Sequence, residues 1–170
     1  MTENIEAKNL FVEGMQAFAG NNFNQCVDLL DQAIERDTQF KLALVSRGAA
    51  HLKLERPDQA IADFDRALEI DPDYARGYHL RGLAYEKQGR SEEALADFNR
   101  AIALDSQYGA AYYSRATLHT TLGNAAEAME DIETVTYFTQ RNLESFNNEN
   151  NIWQTHQMSV ENAMETEFNR

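Results

Sequence analysis

Four histidines, one cysteine and an Asp-Pro-Asp triplet are the residues of this 170-residue sequence that could do chemistry. Asp71-Pro72-Asp73 followed by Gly77 has the start of a calcium loop, but Ala75 and Arg76 stand where such a loop needs an oxygen ligand and its turning glycine. His156 has no histidine or cysteine at metal-ligand spacing. Cys26, alone, can close neither a disulfide nor a thiolate cluster, and its expected role is that of a packed thiol. The chain contains no phosphate-binding glycine loop and no nucleophile elbow. No catalytic residue, cofactor or metal site is therefore expected. What does recur is a charge pair: Arg47 with Asp63, Arg81 with Asp97 and Arg115 with Asp131, sixteen residues apart each time. Across a helical hairpin, that spacing sets a guanidinium opposite a carboxylate, and the reading is a structural ion pair.

The pairs recur because the chain recurs. Residues 61–72 read IADFDRALEIDP, and thirty-four residues on, residues 95–106 read LADFNRAIALDS. At that period Gly14, Gly48, Gly82 and Ala116 form a column of small residues, as do Cys26, Ala60, Ala94 and Ala128, and a third column is Ala33, Ala67, Ala101 and Val135. Beside them run Leu10, Leu44, Tyr78, Tyr112 and Leu30, Phe64, Phe98, Ile132. Small side chains let helix backbones approach, and large ones fill the adjoining space to native density. Tyr78, Gly82 and Tyr85 share one face of a first helix, and Ala60, Phe64, Ala67 and Leu68 one face of a second. Breakers lie between them at Gly20-Asn21, Glu55-Arg56-Pro57, Gly89-Arg90-Ser91 and Gly123-Asn124. Pro57 suits a first helical turn, Ser91 and Asn124 are the expected N-caps, and Asp71-Pro72 should end a helix. His51 and His119 share the slot of Tyr85, a packing position, while His79 falls in the column of Phe11, Val45 and Tyr113.

Tyr78, Gly82, Tyr85, Gly89, Ala94, Phe98 and Ala101 together resemble the tetratricopeptide repeat, and four such hairpins fall at about 7–40, 41–74, 75–108 and 109–142. The second has His51 for the usual tyrosine; the first has Ala17, Asn21 and Thr38 for the aromatic, glycine and proline; the fourth lacks the glycine at Ala116 and the proline at Gln140. The resemblance implies an all-α, right-handed solenoid of antiparallel hairpins in residues 1–142, with first helices lining a concave groove. Each unit buries its apolar face only against its neighbours, so the ends need caps. Residues 143–170, with Leu143, Phe146, Trp153, Val160 and Met164 at helical spacing, are the expected C-terminal capping helix and tail. No Pro or Gly follows Gly123, so the last second helix should run on through Thr139–Arg141.

The resemblance also implies an interaction scaffold that holds a peptide or partner helix. The subclass that grips a C-terminal carboxylate uses Lys and Asn on first helices; here that face opens with Phe11 and Met15, so that clamp is not expected. A net charge of −13 argues against nucleic acid, no apolar run is long enough to span a membrane, and the N-terminal residues lack a signal-peptide core. The expected location is the cytoplasm. The stripe one residue beyond the packing face should look into the groove: Phe11, Met15, Phe18; Val45, Ala49, Leu52; His79, Leu83, Glu86; Tyr113, Thr117, Thr120. Lys8, Lys41, Lys53, Lys87, Arg47, Arg76, Arg81 and Arg115 all lie on first helices, opposed there by Glu13 and Glu86, so the groove should be locally basic. The expected ligand is a protein segment with acidic residues and large apolar anchors, steered by Lys53, Arg76 and Lys87. The alternative is homo-oligomerisation through the groove or the C-terminal helix.

Overall fold

The computed structural model describes residues 2–144. Helices α1 (Thr2–Ala19), α2 (Phe23–Arg36), α3 (Lys41–Lys53), α4 (Pro57–Ile70), α5 (Ala75–Lys87), α6 (Ser91–Leu104) and α7 (Gly109–Leu122) are followed by α8 over residues 125–144, with no strand among the described residues.

Two kinds of turn repeat at the sequence period. Within each hairpin the chain reverses through a left-handed residue, Asn21, Glu55, Gly89 and Gly123, with φ of 60°, 54°, 74° and 80°. Asparagine and glycine take that conformation readily, whereas Glu55 is strained there by roughly 1–2 kcal/mol. Between hairpins, α2, α4 and α6 stop at Asp37, Asp71 and Asp105, each in extended backbone. Their carboxylates accept the N–H two residues on, from Gln39, Asp73 and Gln107, at 3.0, 3.2 and 2.9 Å. An aspartate that satisfies the backbone in this way replaces the next helical turn. Pro57 opens α4 as its sequence position requires. The expected N-caps are corrected in part. Ser91 is the first residue inside α6, after Arg90, and makes no capping bond. Asn124 does stand at the N-cap position of α8, its carbonyl accepting from the Ala128 N–H at 3.1 Å, but its side-chain amide lies 3.3 Å from His119 Nδ1.

Consecutive helices pack side by side, and α1, α3, α5 and α7 also touch one another in series, so the first helices share one surface. The small-residue columns are the contacts within hairpins. A Cβ on Gly48 would sit 2.6 Å from the Phe64 ring, and one on Gly82 2.6 Å from the Phe98 ring; both rings are fully buried. Leu68 reaches forward to Gly77 and ties the second hairpin to the third. Cys26 is a buried packing residue, and burial pushes its thiol pKa up. Gly82→Leu is expected to cost about 1–3 kcal/mol or more in urea unfolding, because Phe98 has nowhere to retreat; an unchanged midpoint would contradict this packing register.

The fourth hairpin ends differently. Where α2, α4 and α6 meet aspartate, α8 has Thr139, whose hydroxyl donates to the Val135 carbonyl at 2.9 Å, a bond compatible with helix. The helix therefore continues through residues 139–141 to residue 144. Ile132, in the column of Phe64 and Phe98, is left 48% exposed. Of the expected cap, Leu143 is exposed, and Phe146, Trp153, Val160 and Met164 lie outside the described residues.

Candidate functional site

The charged columns meet, and each arginine does more than its hairpin requires. Arg81 donates Nε and Nη2 to the Asp97 carboxylate at 2.8 and 2.7 Å, then Nη1 back to Asp65 of the preceding hairpin at 2.7 Å. Arg47 joins Asp63 and Asp31 in the same way, and Arg115 joins Asp131 and Asn99. Asp63, Asp97 and Asp131 are buried. Hydrogen bonds to these aspartates hold all three guanidinium pKa values above their ordinary range. Tyr78 and Tyr85 flank Arg81, with ring centroids 5.4 and 5.8 Å from its Cζ. The three arginines and their six partners form an internal ladder that binds three hairpin steps together.

That ladder corrects the expected charge of the concave surface. Five of the eight first-helix cations are committed: the three arginines, Lys41 to Asp71, and Lys87 to Glu55. Lys8, Lys53 and Arg76 remain without an ion-pair partner among the described residues. The surface is consequently apolar with isolated cations rather than broadly basic.

A cavity of about 740 Å3 opens on this surface where α1, α3 and α5 meet. Phe18, Ala49, Leu52 and Leu83, all on the expected stripe, line it together with Leu80. Lys53 and the Lys87–Glu55 pair contribute the basic and acidic groups of its lining; Lys87 Nζ is 2.9 Å from both Glu55 carboxylate oxygens. Glu86 also lines it, and burial raises the pKa of its carboxyl group. Glu55 owes its position to the left-handed turn before α4, so local strain is spent at this cavity. Glu55 and Leu80 were not among the sequence candidates. Leu80 could have been found, since it is an apolar residue in a column that holds Ser46 and Ser114 on either side.

The remaining candidates lie outside the cavity. Val45 and His79 are buried, against expectation, and the cause is a further column, Phe40, Tyr74 and Tyr108, which leads each following first helix. Phe40 packs on Phe11 at 5.0 Å between ring centroids, and Tyr108 on His79 at 5.2 Å. Tyr74 packs against the cluster that holds Val45. The next member of the column is Asn142, and Tyr113, which an aromatic there would cover, is exposed. Thr117 is exposed, with its hydroxyl donated to the Tyr113 carbonyl at 2.9 Å. Lys8 and Arg76 are exposed, and Met15 is half-buried. His79 sits with Nδ1 3.0 Å from the Tyr108 hydroxyl and Nε2 2.9 Å from the Ser114 hydroxyl. Burial, assisted by the charge of Arg76, lowers its pKa to about 4, so the ring is neutral at pH 7. His51 is largely buried too, its Nδ1 without a hydrogen-bond partner among the described residues, and burial lowers its pKa.

No curated protein matches the sequence. Two sequence profiles described as tetratricopeptide repeat match residues 41–107 and residues 79–137. The fold is similar to a crystal structure of MamA, with 20% identity, 81% of each chain covered and a TM-score of 0.75. It is also similar to the Arabidopsis OM64 TPR domain, with 28% identity over 70% of this chain and 98% of that one and a TM-score of 0.68. A third similar structure is the first TPR of Spaghetti (RPAP3) bound to HSP90 peptide SRMEEVD, with 21% identity over 71% of this chain and 95% of that one and a TM-score of 0.68. With a thirty-four-residue period, paired helices stacked in series and profiles that match its central repeats, the chain belongs to the tetratricopeptide repeat family.

Proposed function

We propose that the chain is a protein-interaction scaffold whose concave surface holds a segment of a partner protein, anchored by one large apolar side chain in the cavity between α1, α3 and α5. The observation that carries this reading is the cavity itself: Phe18, Leu52, Leu80 and Leu83 make an apolar seat large enough for a leucine or aromatic side chain. Lys53 stands beside it without an ion-pair partner among the described residues and favours an acidic residue next to the anchor. A similar fold is described with the peptide SRMEEVD, which combines acidic residues with methionine and valine. Few contacts of this kind carry most of an interface's energy, and they lie at buried apolar seats.

Selection of a displayed random-peptide library on the immobilised chain tests the reading without a known partner. Enriched peptides are expected to pair Leu, Phe or Met with Asp or Glu and to bind less tightly as salt is raised. Leu52→Ala and Lys53→Glu are each expected to weaken the selected peptide by about tenfold with helicity unchanged. Peptides whose affinity ignores both substitutions, or the absence of any enrichment, would overturn the assignment of this cavity.

A further inference from the structure

The end of the stack formed by α7 and α8 is unfinished in two respects. Ile132 shares a column with Leu30, Phe64 and Phe98, which expose nothing, yet it is 48% exposed. Met129, Tyr137 and Leu143 on the same helix are exposed as well. The second respect is ionic. Asp31, Asp65 and Asn99 each accept a guanidinium bond from the first helix that follows. Glu133 is the fourth member of that column, and where the next arginine would fall the sequence has Glu149. The face thus calls for apolar cover together with an arginine. A second copy stacked head to tail would not provide it, since its Glu13 would occupy the arginine position and set carboxylate against carboxylate.

We propose that this face is covered by a second copy of the chain, with the two α8 helices antiparallel about a two-fold axis. Met129, Ile132, Thr136, Gln140 and Leu143 recur at steps of three and four residues, the spacing of a seam between paired helices. With the axis at Thr136, Met129 of one copy meets Leu143 of the other, and Arg141 comes beside Glu130 and Glu133 of the other. Neither Glu133 nor Arg141 has an ion-pair partner among the described residues of one chain. Glu133 thereby receives its arginine across the axis. The continuation of α8 beyond the point where α2, α4 and α6 turn is what brings Arg141 and Leu143 into the seam. The contact uses the same patch on both copies, so it closes at two. It is independent of the concave cavity, which lies among α1, α3 and α5.

Sedimentation equilibrium of the whole 170-residue chain tests this. A dimer is expected across roughly 1–100 µM, and Ile132→Glu and Arg141→Glu should each raise its Kd by about tenfold or more with far-UV helicity intact. Arg141→Glu combined with Glu130→Arg and Glu133→Arg exchanges the charges across the axis and should restore the dimer. A chain that stays monomeric throughout, with the face covered by residues 145–170 or by an unrelated protein, overturns the proposal. A dimer indifferent to Ile132→Glu and Arg141→Glu overturns it too, and so does a charge exchange that fails to restore association.

Discussion

Asp97→Ala is expected to destabilise the chain by about 3–5 kcal/mol, because it leaves the largely buried Arg81 guanidinium with only one of its two carboxylates. The comparison that isolates the cause is Asp65→Ala. Asp65 binds the same arginine, but its carboxylate is about half exposed, so its loss should cost under about 1 kcal/mol. Urea unfolding of the two variants beside the parent reads the difference. Equal losses would mean that Asp97 contributes through packing alone and that its bidentate bond to Arg81 is not what holds α5 to α6. Arg81→Met with Asp97→Leu should recover much of the lost stability, since removing both charges strands neither.

The second large effect is on acid stability. His79 is neutral in the folded chain, with a pKa of about 4 against 6.5 for an ordinary histidine. Its folded pKa is depressed, so above pH 6.5 folded and unfolded states are both unprotonated and the group contributes nothing. As pH falls from 6.5 to about 4 only the unfolded state takes up the proton, and stability drops by about 3 kcal/mol before levelling off. Burial sets this first, with the Phe98 and Tyr108 rings packed on the imidazole, and the charge of Arg76 then opposes a second cation. Burial depresses His51 in the same direction and adds to the slope. Unfolding free energies measured between pH 7 and 4 for the parent and for His79→Gln should diverge by close to one proton's worth of slope. Parallel curves would show that His79 titrates as it would in solvent.

The period was legible because steric demands repeat: a glycine is needed wherever Phe64 or Phe98 meets a first helix, and the sixteen-residue Arg–Asp spacing follows from the hairpin turn. Two features at the same period carried less obvious signals. Pro72 marks the end of α4 in the sequence, but Asp37 and Asp105 have no proline beside them, and all three aspartates end their helices by accepting a backbone N–H. Phe40, Tyr74 and Tyr108 sit outside the helices that they cover, so a helical wheel drawn for α3 or α5 alone puts Val45 and His79 at the surface. The stripe accordingly lines the cavity at Phe18, Ala49, Leu52 and Leu83, which no such aromatic covers, and is buried one turn earlier at Val45 and His79. Its charge could not be read by counting lysines and arginines, because the second bond of each arginine goes to the preceding hairpin, a contact outside the hairpin that carries the residue.

The backward bond of each arginine also governs how a chain of this kind can change length. Residues 41–74 carry an arginine that fits the carboxylate before it and an aspartate, Asp65, that fits the arginine after it. A tandem duplication of that unit would set its arginine against Asp65 at the one new junction, so the interior grows or shrinks without leaving that arginine unmatched. The termini do not share this freedom. Residues 7–40 place Glu13 where an incoming neighbour would need an arginine to answer, and residues 109–142 finish on Glu133. Electrostatics thus writes a beginning and an end into the array while leaving its middle modular.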